Sequence, residues 1–224
     1  GQDVAGQTLT PMPYEEVRDF FYARHNHVAE LDHAAEALNE AAGLVPGRVL
    51  PRLIAYLRRR HGVEVIDDEQ PGEAESRGGV LSRFDPERRV LRLAAGLPPG
   101  RAAFQVASRL AFLEQGAVLD RLSADPGFSG EEARVLARIG LAAYFAGALI
   151  LPYGPFLAAA EELGYDIERL ARRFGVGFET ICHRLSTLQR PEARGVPFFF
   201  VRVDRAGNIS KRQSATDFHF SRVG

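Results

Sequence analysis

Arg202, Arg205, Lys211 and Arg212 put four cations within eleven residues, next to Phe198, Phe199 and Phe200. Arginine clamps a phosphate through two N–H groups at once, and an aromatic ring stacks a base. The same mixture recurs at Phe20-Phe21-Tyr22-Ala23-Arg24, with Arg48 and Arg52 four apart on one helix face. A nucleotide-bearing cofactor such as coenzyme A needs both kinds of group and an apolar slot. A solvated hairpin whose lysine and arginine guard a sheet edge would carry the same residues, so both readings stand.

Metal chemistry has a different requirement. Zinc held on a helix asks for two histidines four apart, a glutamate beside the first, and a third ligand from a neighbouring helix. The helix pair 104–115 and 130–151 has that layout, but Ser108 and Phe112 stand at the histidine positions and Arg109 at that of the base. Ile139 and Leu141 on the second helix are apolar. No zinc is expected. His25, His27 and His33 read as surface histidines. Cys182, between Ile181 and Leu185, reads as a buried structural thiol, and His183 faces about 100° away from it on a helix. Residues 166–190 have the pattern of two helices across a glycine turn. A structural helix pair and a DNA reader both fit; in the second case Thr180, His183, Arg184 and Ser186 would reach bases.

The elements that must position these groups follow from periodicity and punctuation. Tyr14, Val17, Phe20 and Phe21 mark a first helix, which Asn26 ends while capping the next. Leu31, Ala34, Ala35 and Leu38 define a second, stopped by Gly43, and Val49, Leu53, Ile54 and Leu57 a third over 47–61. A strand at 63–66, an acidic loop at 67–78 and a hairpin of 79–84 with 90–94 make a small sheet. Helices resume at 104–115, at 130–151 behind a capping box from Ser129 to Glu132, and at 156–163. Asp166 caps the first helix of the glycine-turn pair, and strands at 198–203 and 209–214 close the chain across the turn 204–208. The fold class is α+β, mainly helical. Residues 1–62 form an N-terminal helical segment and 63–224 a core with a C-terminal hairpin, together one domain.

The net charge of −1 sets up no global field for nucleic acid. One cysteine rules out internal disulfides and fits a reducing compartment. No run reaches bilayer-spanning length, and residues 1–12 lack the charged and apolar regions of a signal. A cytoplasmic protein is expected. Of 28 basic residues all but Lys211 are arginine, so a single ammonium among guanidinium groups hints at a point-charge role. The end at Phe-Ser-Arg-Val-Gly, with no closing element, suggests a piece of a longer protein.

Residues 141–152 and 170–188 resemble the ImmA/IrrE peptidase-like family, in which a Phe-Ala-x-x-Leu-Leu-x-Pro helix end precedes a Leu-Ala-x-x-Phe-x-Val-Ser pair. Phe145-Ala-Gly-Ala-Leu-Ile-Leu-Pro-Tyr-Gly, Arg173-Phe-Gly-Val-Gly-Phe-Glu and Val196-Pro-Phe-Phe-Phe-Val-Arg-Val-Asp-Arg-Ala-Gly-Asn-Ile-Ser-Lys-Arg resemble the short-chain fatty acyl transcriptional regulators. The resemblance implies a degenerate zincin-like core kept as a scaffold that senses coenzyme A or a short acyl-CoA. It implies no catalysis, and control of propionate and acetate metabolism through the methylcitrate and glyoxylate pathways. It further implies promoter DNA bound through a domain outside this chain, and an iron–sulfur cluster only in a C-terminal region that is also outside it. On this reading Tyr22 contacts adenine and Arg24, Arg48 and Arg52 hold phosphates. Lys211 adds a point charge beside Arg202 and Arg205, while Tyr144, Leu149, Tyr153 and Phe199 line the acyl or pantetheine slot. A homo-oligomer with no membrane contact is expected.

Overall fold

The computed structural model describes residues 11–68, 80–203, 205–206 and 209–214. At its centre is α6 (Glu131–Ile150), a helix rich in alanine and glycine. Ala133, Ala137, Leu141, Ala142, Phe145, Ala146, Ala148, Leu149 and Ile150 are buried along it. Small side chains let neighbouring helices approach from several directions: α1 (Pro13–Tyr22), α2 (Ala29–Ala42), α4 (Pro99–Glu114) and α5 (Gly116–Ser123) all pack on it. The Phe21 ring lies over Gly140, where a Cβ would meet it at 3.2 Å. By length and composition α6 is apolar enough to cross a membrane, contrary to the expectation that no run is. A core helix passes the same test, and half of the apolar window is buried here against other helices.

Helix ends follow local chemistry. Gly43 and Gly62 take the left-handed conformation that stops α2 and α3 (Leu50–His61). Arg58 to His61 fill the last turn of α3, where the dipole favours cations. Asp166 caps α8 (Ile167–Phe174) by accepting from the Arg169 amide at 3.0 Å, as expected. The capping box at Ser129 does not form. Gly130 is the N-cap of α6 without a side-chain bond, and the Ser129 amide instead donates to Glu16 at 3.0 Å. Asn26 is buried with φ 56°, and Val28, not Asn26, is the N-cap of α2.

The small sheet has the order β1 (Glu64–Asp67), β3 (Val90–Leu93), β2 (Ser82–Asp85). The β2–β3 hairpin is antiparallel; β1 adds a parallel pair on the other side of β3. Residues 69–79, most of the expected acidic loop, lie outside the described residues. Two elements had no sequence expectation: α5, which follows α4 after Gln115, and the two-residue pair β4 (Gln189–Arg190) with β5 (Ala193–Arg194). After α7 (Tyr153–Glu162), α8 and α9 (Phe178–Ser186) join across Gly175, whose φ is 65°. The closing hairpin pairs β6 (Phe199–Val203) with β7 (Ile209–Ser214), Arg202 in register with Lys211.

One buried apolar cluster runs from Phe20 on α1 to Leu188 beyond α9, so the first three helices and the segments after residue 62 share it.

Candidate ligand site

Two polar assemblies are built into this frame. The first lies where the layout would place a metal. Ser108 on α4 donates its hydroxyl to the Phe104 carbonyl at 2.8 Å. Phe112, one turn on, offers no donor atom. The Arg109 guanidinium lies 4.5 Å from the centre of the Phe84 ring on β2 and 5.4 Å from that of Phe112. Arg138, from α6, sits 5.0 Å from the same Phe112 ring while its Nε donates to Asp120 at 2.7 Å. Desolvation lowers the Arg109 pKa from the ordinary arginine value. A hydroxyl turned to the backbone, a phenyl ring and a fixed cation do not fit a divalent metal. Among the described residues no other group of three histidine, cysteine or carboxylate side chains would hold one.

The second assembly is a buried network joining α2, α6 and α9. Asp32 is fully buried on the inward face of α2. Arg184 of α9, 3% exposed, donates through Nη2 to Asp32 Oδ1 at 2.6 Å, through Nε to the Leu151 carbonyl at 2.8 Å, and through Nη1 to Thr187 at 3.0 Å. The Tyr144 hydroxyl donates to Asp32 Oδ2 and accepts from the Val28 amide at 3.0 Å. His27 Nδ1 lies 3.2 Å from Asp32 Oδ2. Burial alone would raise the Asp32 pKa; the Arg184 charge and the hydrogen bonds from His27, Arg184 and Tyr144 overturn that and hold it well below the usual carboxyl range. Tyr144 moves the other way: burial and the neighbouring Asp32 charge push its phenol well above the ordinary value.

A second layer rests on Tyr153. Its ring has the Arg190 guanidinium over it at 4.1 Å and His27 against it at 5.7 Å. Its hydroxyl donates to the Ala193 carbonyl and accepts from the Arg190 amide, both at 2.8 Å, pinning the β4–β5 turn. Arg190 reaches back to Glu36 at 2.8 Å, one helical turn beyond Asp32.

A depressed carboxyl pKa fixes the direction of an acid effect. The stability supplied by Asp32 is complete above the unfolded carboxyl range and is lost as pH falls from about 4 through the lower folded value. Urea midpoints between pH 6 and pH 2 should fall more steeply in the native protein than in Asp32→Asn; matching slopes would contradict the role given to this carboxylate.

The expected ligand residues fall into separate places. Tyr144 and Tyr153 meet through the Asp32–Arg184 network, and Leu149 is fully buried in the core. Arg24 is already engaged: it stacks 3.7 Å over the Phe20 ring, and donates to the Phe20 carbonyl at 3.0 Å and to Asp125 at 3.1 Å. Tyr22 is half-buried near the end of α1, and Arg48 and Arg52 are exposed at the start of α3. Phe199 and Arg205 are exposed on the hairpin, and His183 meets Phe200 edge-on at 4.6 Å, docking α9 on it. The side chains of Arg202, Lys211 and Arg212, and turn residues 204, 207 and 208, lie outside the described residues.

Two expectations change. His27 is not a surface histidine: its side chain is 8% exposed. Arg184 and Ser186 cannot reach DNA bases, because both are buried and bonded inside the molecule. Cys182 is buried as expected, and burial pushes its thiol pKa up. Sequence reasoning missed Asp32, whose signal was an acid set between Leu31 and Ala35 on an apolar helix face, with Arg184 at the same kind of position in α9.

A helical α+β scaffold of zincin layout, its metal position taken by Ser108, Arg109 and Phe112, defines a peptidase-like core without the ligands of a peptidase. The IrrE N-terminal-like domain model matches residues 58–186, and the model described as short-chain fatty acyl coenzyme A regulator, C-terminal, matches residues 187–224. The chain belongs to the IrrE N-terminal-like family, and its residues 187–224 are similar to the short-chain fatty acyl coenzyme A regulators. It is 55% identical over 215 residues to the HTH-type transcriptional regulator PrpR of Mycobacterium tuberculosis, covering 96% of this chain and 43% of that protein. It is 48% identical to the HTH-type transcriptional regulator RamB of the same species, covering 99% of this chain and 46% of RamB. Against the propionyl-CoA carboxylase regulator of Cereibacter sphaeroides the identity is 46%, over 100% of this chain and 46% of the relative. The solved structure of a Mycobacterium tuberculosis transcriptional regulator superposes with a TM-score of 0.88 at 53% identity, covering 96% of this chain and 63% of the other. The chain thus spans a little under half the length of these curated relatives.

Proposed function

We propose that this chain is the sensing part of a transcriptional regulator of short-chain fatty acid metabolism, binding coenzyme A or a short acyl-CoA without catalysis. The propionate and acetate routes through the methylcitrate and glyoxylate pathways are the processes it would report on. One observation carries the reading: a segment matching the acyl coenzyme A regulator model continues directly from a core whose metal position holds Ser108, Arg109 and Phe112. The relatives' names point the same way. Promoter DNA would be bound through a part of the regulator that this chain does not span, in the cytoplasm and as a homo-oligomer. Any iron–sulfur cluster would also lie outside this chain, since one cysteine cannot hold it.

Arg48, Arg52 and Tyr22 are the residues best placed to meet phosphates and adenine from solvent; Arg24 would first have to leave Asp125. Ligand binding shifts stability by mass action, so coenzyme A or propionyl-CoA at 100 times its Kd should stabilise the fold by about 2.7 kcal/mol. Mass spectrometry of small molecules released on denaturation should find the co-purified cofactor. Arg52→Ala should weaken coenzyme A binding by about 1–3 kcal/mol. No released ligand together with an unmoved melt would end the sensor reading.

A further inference from the structure

Arg109 is a half-buried cation with no counter-charge among the described residues. Among the described residues it makes no ion pair and no hydrogen bond, and its Nε is buried without a partner. Its contacts are the Phe84 and Phe112 rings. Ring faces hold a guanidinium in place, but they do not satisfy its N–H groups. Four other half-buried or buried arginines, Arg24, Arg138, Arg184 and Arg190, each have a carboxylate, Asp125, Asp120, Asp32 and Glu36, whereas Arg109 and Arg92 have none among the described residues. A desolvated, unpaired cation costs stability. An anion brought from outside would supply the charge that no described residue gives it.

We propose that Arg109, clamped between Phe84 and Phe112 with Arg138 on the far side of the cluster, is a phosphate-binding site in the place of the lost metal. Arg109 supplies the guanidinium, and Arg138, 5.0 Å from the centre of the Phe112 ring, adds a second positive charge to the cluster, which favours a multiply charged phosphate or pyrophosphate over a single carboxylate. Asp120 holds only the Nε edge of Arg138, leaving its terminal nitrogens for a second contact. Val135 and Ile139, exposed beside Arg138 on α6, offer apolar surface next to the charge. The identity of a phosphate carried by coenzyme A rests on the sensor reading above; the site itself rests on Arg109.

The probes are inorganic pyrophosphate, adenosine 3′,5′-bisphosphate and coenzyme A, titrated into the purified chain by calorimetry. Pyrophosphate should bind, and Arg109→Gln, which keeps a planar side chain but removes the charge, should weaken it at least tenfold. Arg109→Lys should retain part of the affinity. If Arg109→Gln fails to fold, the native protein decides: in nitrogen-15 spectra the Arg109 Nε–H resonance should move on titration while those of exposed arginines such as Arg169 stay. Loss of both pyrophosphate and coenzyme A binding in Arg109→Gln supports the site and names the cofactor as the source of its phosphate. Loss of pyrophosphate binding alone supports the site with a free phosphate as occupant. An unmoved Nε–H signal, or native pyrophosphate affinity in Arg109→Gln, overturns the site; coenzyme A binding undiminished in that case would leave the sensor reading standing.

Discussion

Asp32→Ala lowers the free energy of unfolding by about 3–5 kcal/mol, the cost of leaving one member of a buried ion pair uncompensated. The measurement is a urea titration in which the midpoint falls while the slope stays. The magnitude follows from position. Asp32 is fully buried and Arg184 almost so, and water cannot solvate the guanidinium once its partner has gone. Tyr144 also loses the acceptor for its hydroxyl. Replacing both members, as in Asp32→Leu with Arg184→Met, should recover only part of the loss. The ion pair itself is dispensable in favour of apolar packing, but the Leu151 carbonyl and the Thr187 hydroxyl would still lose the donor they share. A cost below about 1 kcal/mol for Asp32→Ala would mean that water enters this network and the pair is not truly buried.

Gly100→Ala destabilises by about 3 kcal/mol, although alanine is the better helix former by about 1 kcal/mol. Gly100 lies in the first turn of α4, facing the α8–α9 turn. A Cβ there would stand 2.3 Å from the Gly175 carbonyl oxygen and 3.1 Å from the Val176 Cα. Both are backbone atoms and cannot swing aside. Gly175 is itself backed by Gly47, where a Cβ would meet the Arg173 carbonyl at 2.8 Å. Three glycines therefore let three backbone segments touch. Gly116→Ala is the control: a Cβ at that position meets nothing within 4 Å. Thermal melts of the two variants should separate clearly, and a Gly100→Ala protein melting with the wild type would show that the junction can relax.

Most of the helical frame could be read from periodicity, because apolar spacing and glycine stops report what a helix buries locally. Leu31, Ala35 and Leu38 marked α2, and Gly43 marked its end. The closing hairpin was legible from its aromatic and turn residues. What stayed hidden depends on contacts between distant segments. No pattern in α2 tells Asp32 that its partner lies in α9, and the basic character of Arg184 read as a surface face. The Ser129 box failed because Glu16, from α1, took the serine amide. The parallel β1–β3 pair was equally invisible, since register between separate segments leaves no mark in either one. For the site, the substitutions at Ser108, Arg109 and Phe112 were plain in the sequence, but the aromatic clamp on Arg109 was not, because Phe84 comes from the sheet.

The Asp32–Arg184 pair spans 152 positions of the chain. During synthesis from the N-terminus, α2 leaves the ribosome many seconds before α9, at roughly 5–20 residues per second. Until Arg184 arrives, Asp32 has no counter-charge and cannot be enclosed, so the first helices have reason to remain loosely associated and wetted. Closure of the core is thereby tied to a late segment, adjoining the point where the acyl coenzyme A regulator match begins. A chain cut short before α9 would not merely lack a helix; it would carry a carboxylate that resists burial, and quality-control proteases would meet it open.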